Sequence, residues 1–320
     1  MAAATSDESK DDMNKVSRLQ LPQVSELALQ LPAMDGYQLA ASEFGTGAQR
    51  PVVLIAPSVG VTRDFYRAFA IYLAQRGFSA VTWDWRGVGE SRADGPTDLP
   101  VALQDWGCYD LAGVIAWARE YYGGLPVAVV AHGVGGQVLG FAPNADGLAA
   151  VVTVSAASSY LGHYPAASKL LFALAWYAGL PLGLRPRGYM PARRLAGGDG
   201  PPAGVVRQWA RWSRSPNYLD EYRLHWRVTA PLLAFSFEDD LYAPRRAVEA
   251  LHREYRSREL VRRHLAPVDL GVNRVGHYGF FEPSMAPRLW AETAAWLSQR
   301  MVLSATRGRQ ASPPPLRIAV

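Results

Sequence analysis

Short, continuous apolar runs recur along this chain, each closed by a turn and followed by a stretch with helical spacing. Pro51–Pro57 (PVVLIAP), Val127–Ala131, Ala149–Ala156 (AAVVTVSA) and Pro231–Phe237 (PLLAFSF) are apolar at nearly every position. Such runs predict strands buried on both faces. Ser79–Trp85 and Leu260–Leu265 read as two further strands, and Glu26–Leu31 with Tyr37–Phe44 as a pair around the turn Asp35-Gly36. Between them, helices are predicted over Asp64–Arg76 (closed by Gly77), Gln104–Tyr121, about Ala247–Tyr255 and about Met285–Met301. Strands alternating with helices imply an α/β fold: a mainly parallel central sheet of about eight strands flanked by helices.

The rhythm fails once. Residues 158–227 are aromatic, Arg-rich and interrupted by Pro and Gly, and read as a helical lid inserted after the sixth strand. The core is then residues 23–157 and 228–302. Residues 1–22 (polar and acidic at the start, unlike a signal peptide) and 303–320 (containing Pro313-Pro314-Pro315) are expected to be disordered tails. Leu170–Leu184 is the longest apolar stretch; it is too short for a membrane span and contains Pro181, so a buried or cleft-lining helix is expected, with interfacial membrane contact as the alternative.

Composition sharpens this only slightly. The chain has 320 residues, of which 49% are hydrophobic, enough for one large α/β domain. A single cysteine, Cys108, excludes an internal disulfide and fits a reducing compartment, so a cytoplasmic location is expected. The net charge of +5 is uneven: between Tyr160 and Thr229 ten Lys or Arg face three acids, interleaved with Trp176, Tyr177, Trp209, Trp212, Tyr218, Tyr222 and Trp226. That pattern suits a cleft for an apolar small molecule with an anionic end, an acidic carrier protein, or a solvated surface over packed aromatics. No nucleic-acid motif accompanies it. A homodimer is compatible with the sequence.

The chemistry centres on Ala131-His132-Gly133-Val134-Gly135. A strand, a glycine-rich turn and a helix frame a nucleophile elbow, G-x-S-x-G, but the apex is Gly133, which has nothing to attack with. The acid that orients a histidine is expected after Pro231–Phe237, at Asp240 with Asp239 as fallback, and the histidine at His277, between Gly276 and Gly279. The backbone N–H groups of Val134 and Val59 would form an oxyanion pocket, which does not depend on the missing side chain. Ser58 is a hydroxyl on the facing loop, expected to approach from the wrong side to replace the apex. His132 is expected to point away with a structural duty. Tyr160, His163, Trp176 and Trp209, with Ser58, are the expected substrate contacts. The six histidines show no metal-ligand spacing, and no metal or cofactor is expected.

APSVGV at Ala56–Val61, DWRGVGES at Asp84–Ser91, AHGVGGQ at Ala131–Gln137, APNAD at Ala142–Asp146, QWARWSRSPNY at Gln208–Tyr218 and GHYGFF at Gly276–Phe281 make the chain resemble a bacterial branch of the α/β-hydrolases of the serine-aminopeptidase-like type. The resemblance spans roughly Leu27–Met301. It implies a nucleophile at the position of Gly133, an acid at Asp240 and a base at His277. Relatives in the wider superfamily without a nucleophile include cyclases, lyases, cofactor-free oxygenases and non-catalytic binders. The expectation is therefore an enzyme using a His–Asp pair for proton transfer (cyclisation, elimination or isomerisation) on a small or carrier-bound metabolite, in a biosynthetic pathway. The alternatives are water-mediated hydrolysis of an ester or thioester, and a non-catalytic binding protein.

Overall fold

A computed structural model describes residues 21–47, 49–92, 100–174, 200–216 and 227–311. Eight strands form one sheet: β1 Ser25–Pro32, β2 Gln38–Gly45, β3 Val52–Ala56, β4 Ser79–Trp83, β5 Val127–His132, β6 Ala150–Val154, β7 Leu232–Phe237 and β8 Leu260–Leu265. Their order is β1-β2-β4-β3-β5-β6-β7-β8. The β1–β2 and β2–β4 pairs are antiparallel and all others parallel.

The continuous apolar runs have the expected cause. Successive side chains of a strand point to opposite faces. Val52, Leu54 and Ala56 of β3 enter one core and Val53 and Ile55 the other; Val127, Val129 and Ala131 of β5 separate from Ala128 and Val130 likewise. Helix α1 (Arg67–Ala74) and the C-terminal helix α7 (Ala291–Ala311) cover one face, and α2 (Ala112–Tyr121) the other. The remaining helices longer than the single turn at Leu103–Asp105 are, among the described residues and in chain order, α3 Val134–Val138, α4 Ala166–Leu174, α5 Ala203–Ser213 and α6 Arg245–His252.

Several predicted helices differ in kind or extent. Asp64–Arg76 opens as a 3₁₀ turn at Arg63–Tyr66 before α1. The predicted Gln104–Tyr121 helix contains a π-helical turn, Trp106–Leu111, which lets Trp106 stack on Trp85 at 5.4 Å and Asp110 reach Arg86 at 2.6 Å. The last helix begins as a 3₁₀ turn and a π turn at Ala286–Trp290, where Pro287 has no N–H to give to a regular ladder. It then runs to Ala311, so the tail expected from residue 303 is helical over its first part. Residues 1–20 and 312–320 lie outside the described residues.

All parallel strands end at one edge of the sheet, and there the loops that matter meet. The loop after β3 is fixed to the loop after β4 by an ion pair: buried Asp84 accepts from the Arg63 N–H at 2.7 Å and from its Nη1 at 2.7 Å. Stripping one partner from such a buried pair costs about 3–5 kcal/mol. The insertion between β6 and β7 contains α4 and α5, which stand over this edge.

Candidate active site

The bend after β5 is held tightly. Gly133 has φ 51° and ψ −114°, and its N–H donates to the Val154 carbonyl at 2.9 Å. Only glycine takes that backbone without strain. Helix α3 leaves the bend pressed on the sheet: a Cβ on Gly135 would come within 2.6 Å of the Ala56 carbonyl oxygen. The Tyr255 hydroxyl donates to the Gly136 carbonyl from beyond α6 and fixes the first turn.

His277 and Asp240 meet at this bend. His277 Nδ1 lies 2.9 Å from Asp240 Oδ2 and 3.2 Å from Oδ1. Asp240 is buried, and its Oδ1 also accepts from the N–H groups of Tyr242 (2.9 Å) and Ala243 (3.1 Å). Burial pushes its carboxyl up, but the His277 ring, the neighbouring Ser155 hydroxyl and the Tyr242 N–H outweigh that and hold it below the ordinary carboxylate value. It therefore stays charged and fixes the Nδ1–H tautomer of His277, leaving Nε2 free toward Gly133. A Cβ built on Gly133 would stand 3.1 Å from His277 Nε2. Asp239, the fallback, serves a different purpose. Its Oδ2 accepts from Val275 N (2.9 Å) and Gly276 N (3.0 Å), shaping the loop that carries the histidine.

His132 points away from the cleft and is fully buried. Its Nε2 donates to the His277 carbonyl at 3.0 Å, and its Nδ1 accepts from the Tyr66 hydroxyl at 2.8 Å. Tyr66 in turn accepts from the Ser58 N–H at 2.9 Å. Burial, with the neighbouring His277, drives the His132 pKa well below the ordinary imidazole value, so it is a neutral strut. This Ser58–Tyr66–His132–His277 chain ties three loops together. Tyr66 escaped the sequence reading because a tyrosine in a helical run carries no local mark of such a role.

Two backbone donors remain open. Among the described residues, neither the Val59 N–H nor the Val134 N–H makes a hydrogen bond, and both residues line the cavity in front of His277. The cavity holds about 320 Å³. Leu161, Phe172, Val206, Trp209 and Tyr242 are among the apolar residues of its wall, with Ser58, Gln137, Ser155 and Ser159 as polar points.

Three expectations need correction. Ser58 does not stand off on the wrong side: its Oγ lies inside the 3.0 Å that a Cβ on Gly133 would need. Tyr160 and His163 do not line the cavity, because the turn at Leu161–His163 sends Leu161 inward while their two rings pack edge to face at 5.2 Å. No Lys or Arg is among the lining residues, so an anionic end finds no partner in the described wall. Trp209 does line it; Trp176 lies outside the described residues.

The arrangement is an imidazole backed by a carboxylate in the wall of a largely apolar cavity, which Val59 and Val134, each with an unpartnered N–H among the described residues, also line. Residues 47–189 match the protein family described as "Serine aminopeptidase, S33". No curated protein matches the sequence. Similar solved structures include a monoacylglycerol lipase of Paleococcus ferrophilus (17% identity, TM-score 0.56, covering 82% of this chain and 99% of that one). An esterase of Pyrococcus furiosus (13%, 0.59, 94% and 96%) and a hypothetical protein of Pseudomonas aeruginosa (16%, 0.59, 94% and 99%) are also similar. Among the described residues no helix is long and apolar enough to cross a membrane. The chain has the α/β-hydrolase fold, and its residues 47–189 match the serine aminopeptidase, S33 family.

Proposed function

We infer that this protein is an enzyme in which His277, oriented by Asp240, acts as general base on the carbonyl end of a small, largely apolar substrate. The observation that carries this reading is the pair itself: Nδ1 is held on a buried carboxylate at 2.9 Å, and Nε2 faces the bend at Gly133. The resemblance to the family implies a nucleophile at the position that Gly133 holds. The carbonyl oxygen would lie against the N–H groups of Val59 and Val134, which are placed for charge that develops during reaction. A base and preorganised donors serve hydrolysis of an ester or thioester by an attacker other than residue 133. Support for that class comes from the match to a hydrolytic family and from the Ser58 hydroxyl beside the bend.

Proton transfer next to a carbonyl, giving elimination, cyclisation or isomerisation, is the second reading. It is favoured by the bare backbone at Gly133 and needs only the same base and the same donors. In both, helices α4 and α5 act as a lid that excludes water. The test is release of p-nitrophenol from p-nitrophenyl acetate, butyrate and octanoate. The expected result is turnover that falls about 10²–10⁴-fold in His277→Ala. Full turnover in that variant would overturn both readings.

A further inference from the structure

The bend has lost its side chain, yet a hydroxyl still stands beside it. Ser58 is 2% exposed, and its main-chain N–H is fixed by Tyr66 at 2.9 Å. Its Oγ makes no hydrogen bond among the described residues. The position that a Cβ on Gly133 would take is crowded by Ser58 Oγ and lies 3.1 Å from His277 Nε2. Hydroxyl and base therefore converge on one point. The next N–H along the chain from Ser58 is that of Val59, just as Val134 follows Gly133. A nucleophile at residue 58 thus keeps an open donor immediately after it and the second donor across the cleft.

We propose that Ser58 is the catalytic nucleophile, moved from the elbow to the facing loop, and that residue 133 is glycine because the Ser58 hydroxyl occupies its side-chain space. This rests on the ester or thioester reading above. In the first step His277 Nε2 takes the Ser58 Oγ–H proton while Oγ bonds to the acyl carbon. The carbonyl electron pair moves to the oxygen, held by the Val59 and Val134 N–H groups. Collapse expels the alkoxide or thiolate, which takes the proton from His277, and leaves an ester on Ser58. Water then gives a proton to His277 and attacks that ester. The Ser58 oxygen leaves with the proton, and the carboxylic acid departs. An apo hydroxyl not yet bonded to its base is compatible with this chemistry, since such bonds tighten in the substrate complex.

The experiment treats the full chain with a fluorophosphonate and maps the adduct by peptide mass, alongside p-nitrophenyl butyrate hydrolysis. The expected result is a single adduct on Ser58, absent in Ser58→Ala and in His277→Ala, with turnover in Ser58→Ala down roughly 100-fold or more. Ser58→Cys tests the position independently of folding losses: its thiol should take iodoacetamide in a His277-dependent way. An adduct on another residue overturns the inference. So does undiminished hydrolysis in Ser58→Ala when His277→Ala is inactive; that outcome leaves the His277 reading intact with water as attacker. A wild-type chain that neither takes the probe nor hydrolyses any ester overturns the inference and the hydrolytic reading together.

Discussion

Gly133 and Ser58 share one space, and each sets what the other can be. At φ 51° and ψ −114° any side chain is strained, by about 1–3 kcal/mol for a residue held there. The crowding against Ser58 Oγ adds to that. Gly133→Ala is therefore expected to lower the melting temperature, and Ser58→Gly in the same chain should recover part of the loss; equal melting temperatures for the single and double variants would show that the two positions do not touch. Gly133→Ser alone meets the Ser58 hydroxyl and should not raise ester turnover, whereas Gly133→Ser with Ser58→Ala frees the space and should move fluorophosphonate labelling to residue 133. Labelling of Gly133→Ser without the second change would contradict this account.

At the scale of elements, the site is three loops at the carboxyl edge of the sheet, joined by a buried strut. Tyr66 brings the start of α1 to the loop after β3, and His132 at the end of β5 reaches the His277 carbonyl. Tyr66→Phe leaves the Ser58 N–H and His132 Nδ1 without partners. It is expected to cost about 1–3 kcal/mol by chemical denaturation, with a larger effect on kcat than on KM because it loosens the loops that carry Ser58, Val59 and His277 rather than the apolar wall on α4 and α5. The strut also has a pH signature. His132 refuses a proton in the fold that it accepts when unfolded, below about pH 6.5. The unfolded chain then holds more protons, so stability is full above that value and falls as pH drops below it, by up to about 1.4 kcal/mol per pH unit for one group. His163 and His264 are shifted the same way and add the same sign. His132→Gln, which cannot titrate, should flatten the melting temperature between pH 7.5 and 5; identical slopes for both proteins would remove His132 from the explanation.

For the whole molecule, the deciding feature is a cavity lined by loops at the sheet edge and, among the described residues, by α4 and α5. About 320 Å³ of largely apolar space suits a short or medium acyl group better than a long chain. Val206, buried on α5, faces that space. Val206→Phe should raise KM for p-nitrophenyl octanoate several-fold and leave that for the acetate nearly unchanged. A matching rise for both esters would place the acyl group elsewhere. With no Lys or Arg among the described lining residues, KM for these neutral esters should also be insensitive to salt.

What the amino-acid order determined is the part governed by local rules. Runs such as Val52–Ala56 and Val127–Ala131 are apolar throughout because both faces of a parallel strand are covered, and that pattern marks the strands of the sheet and the approximate places of its flanking helices. The order of bend, acid and histidine picked out Gly133, Asp240 and His277, since turn glycines and loop positions leave marks along the chain. Tertiary structure decided the rest. Only packing shows that Asp239 braces a loop while its neighbour holds the imidazole, because adjacent acids on one turn differ by direction and not by spacing. Only packing sends Tyr160 and His163 away from the cavity, joins Tyr66 to His132 across sixty-six residues, and brings the Ser58 hydroxyl to the empty side of Gly133. Contacts between loops on different strands are fixed by how the sheet is ordered and twisted, and no local pattern encodes them.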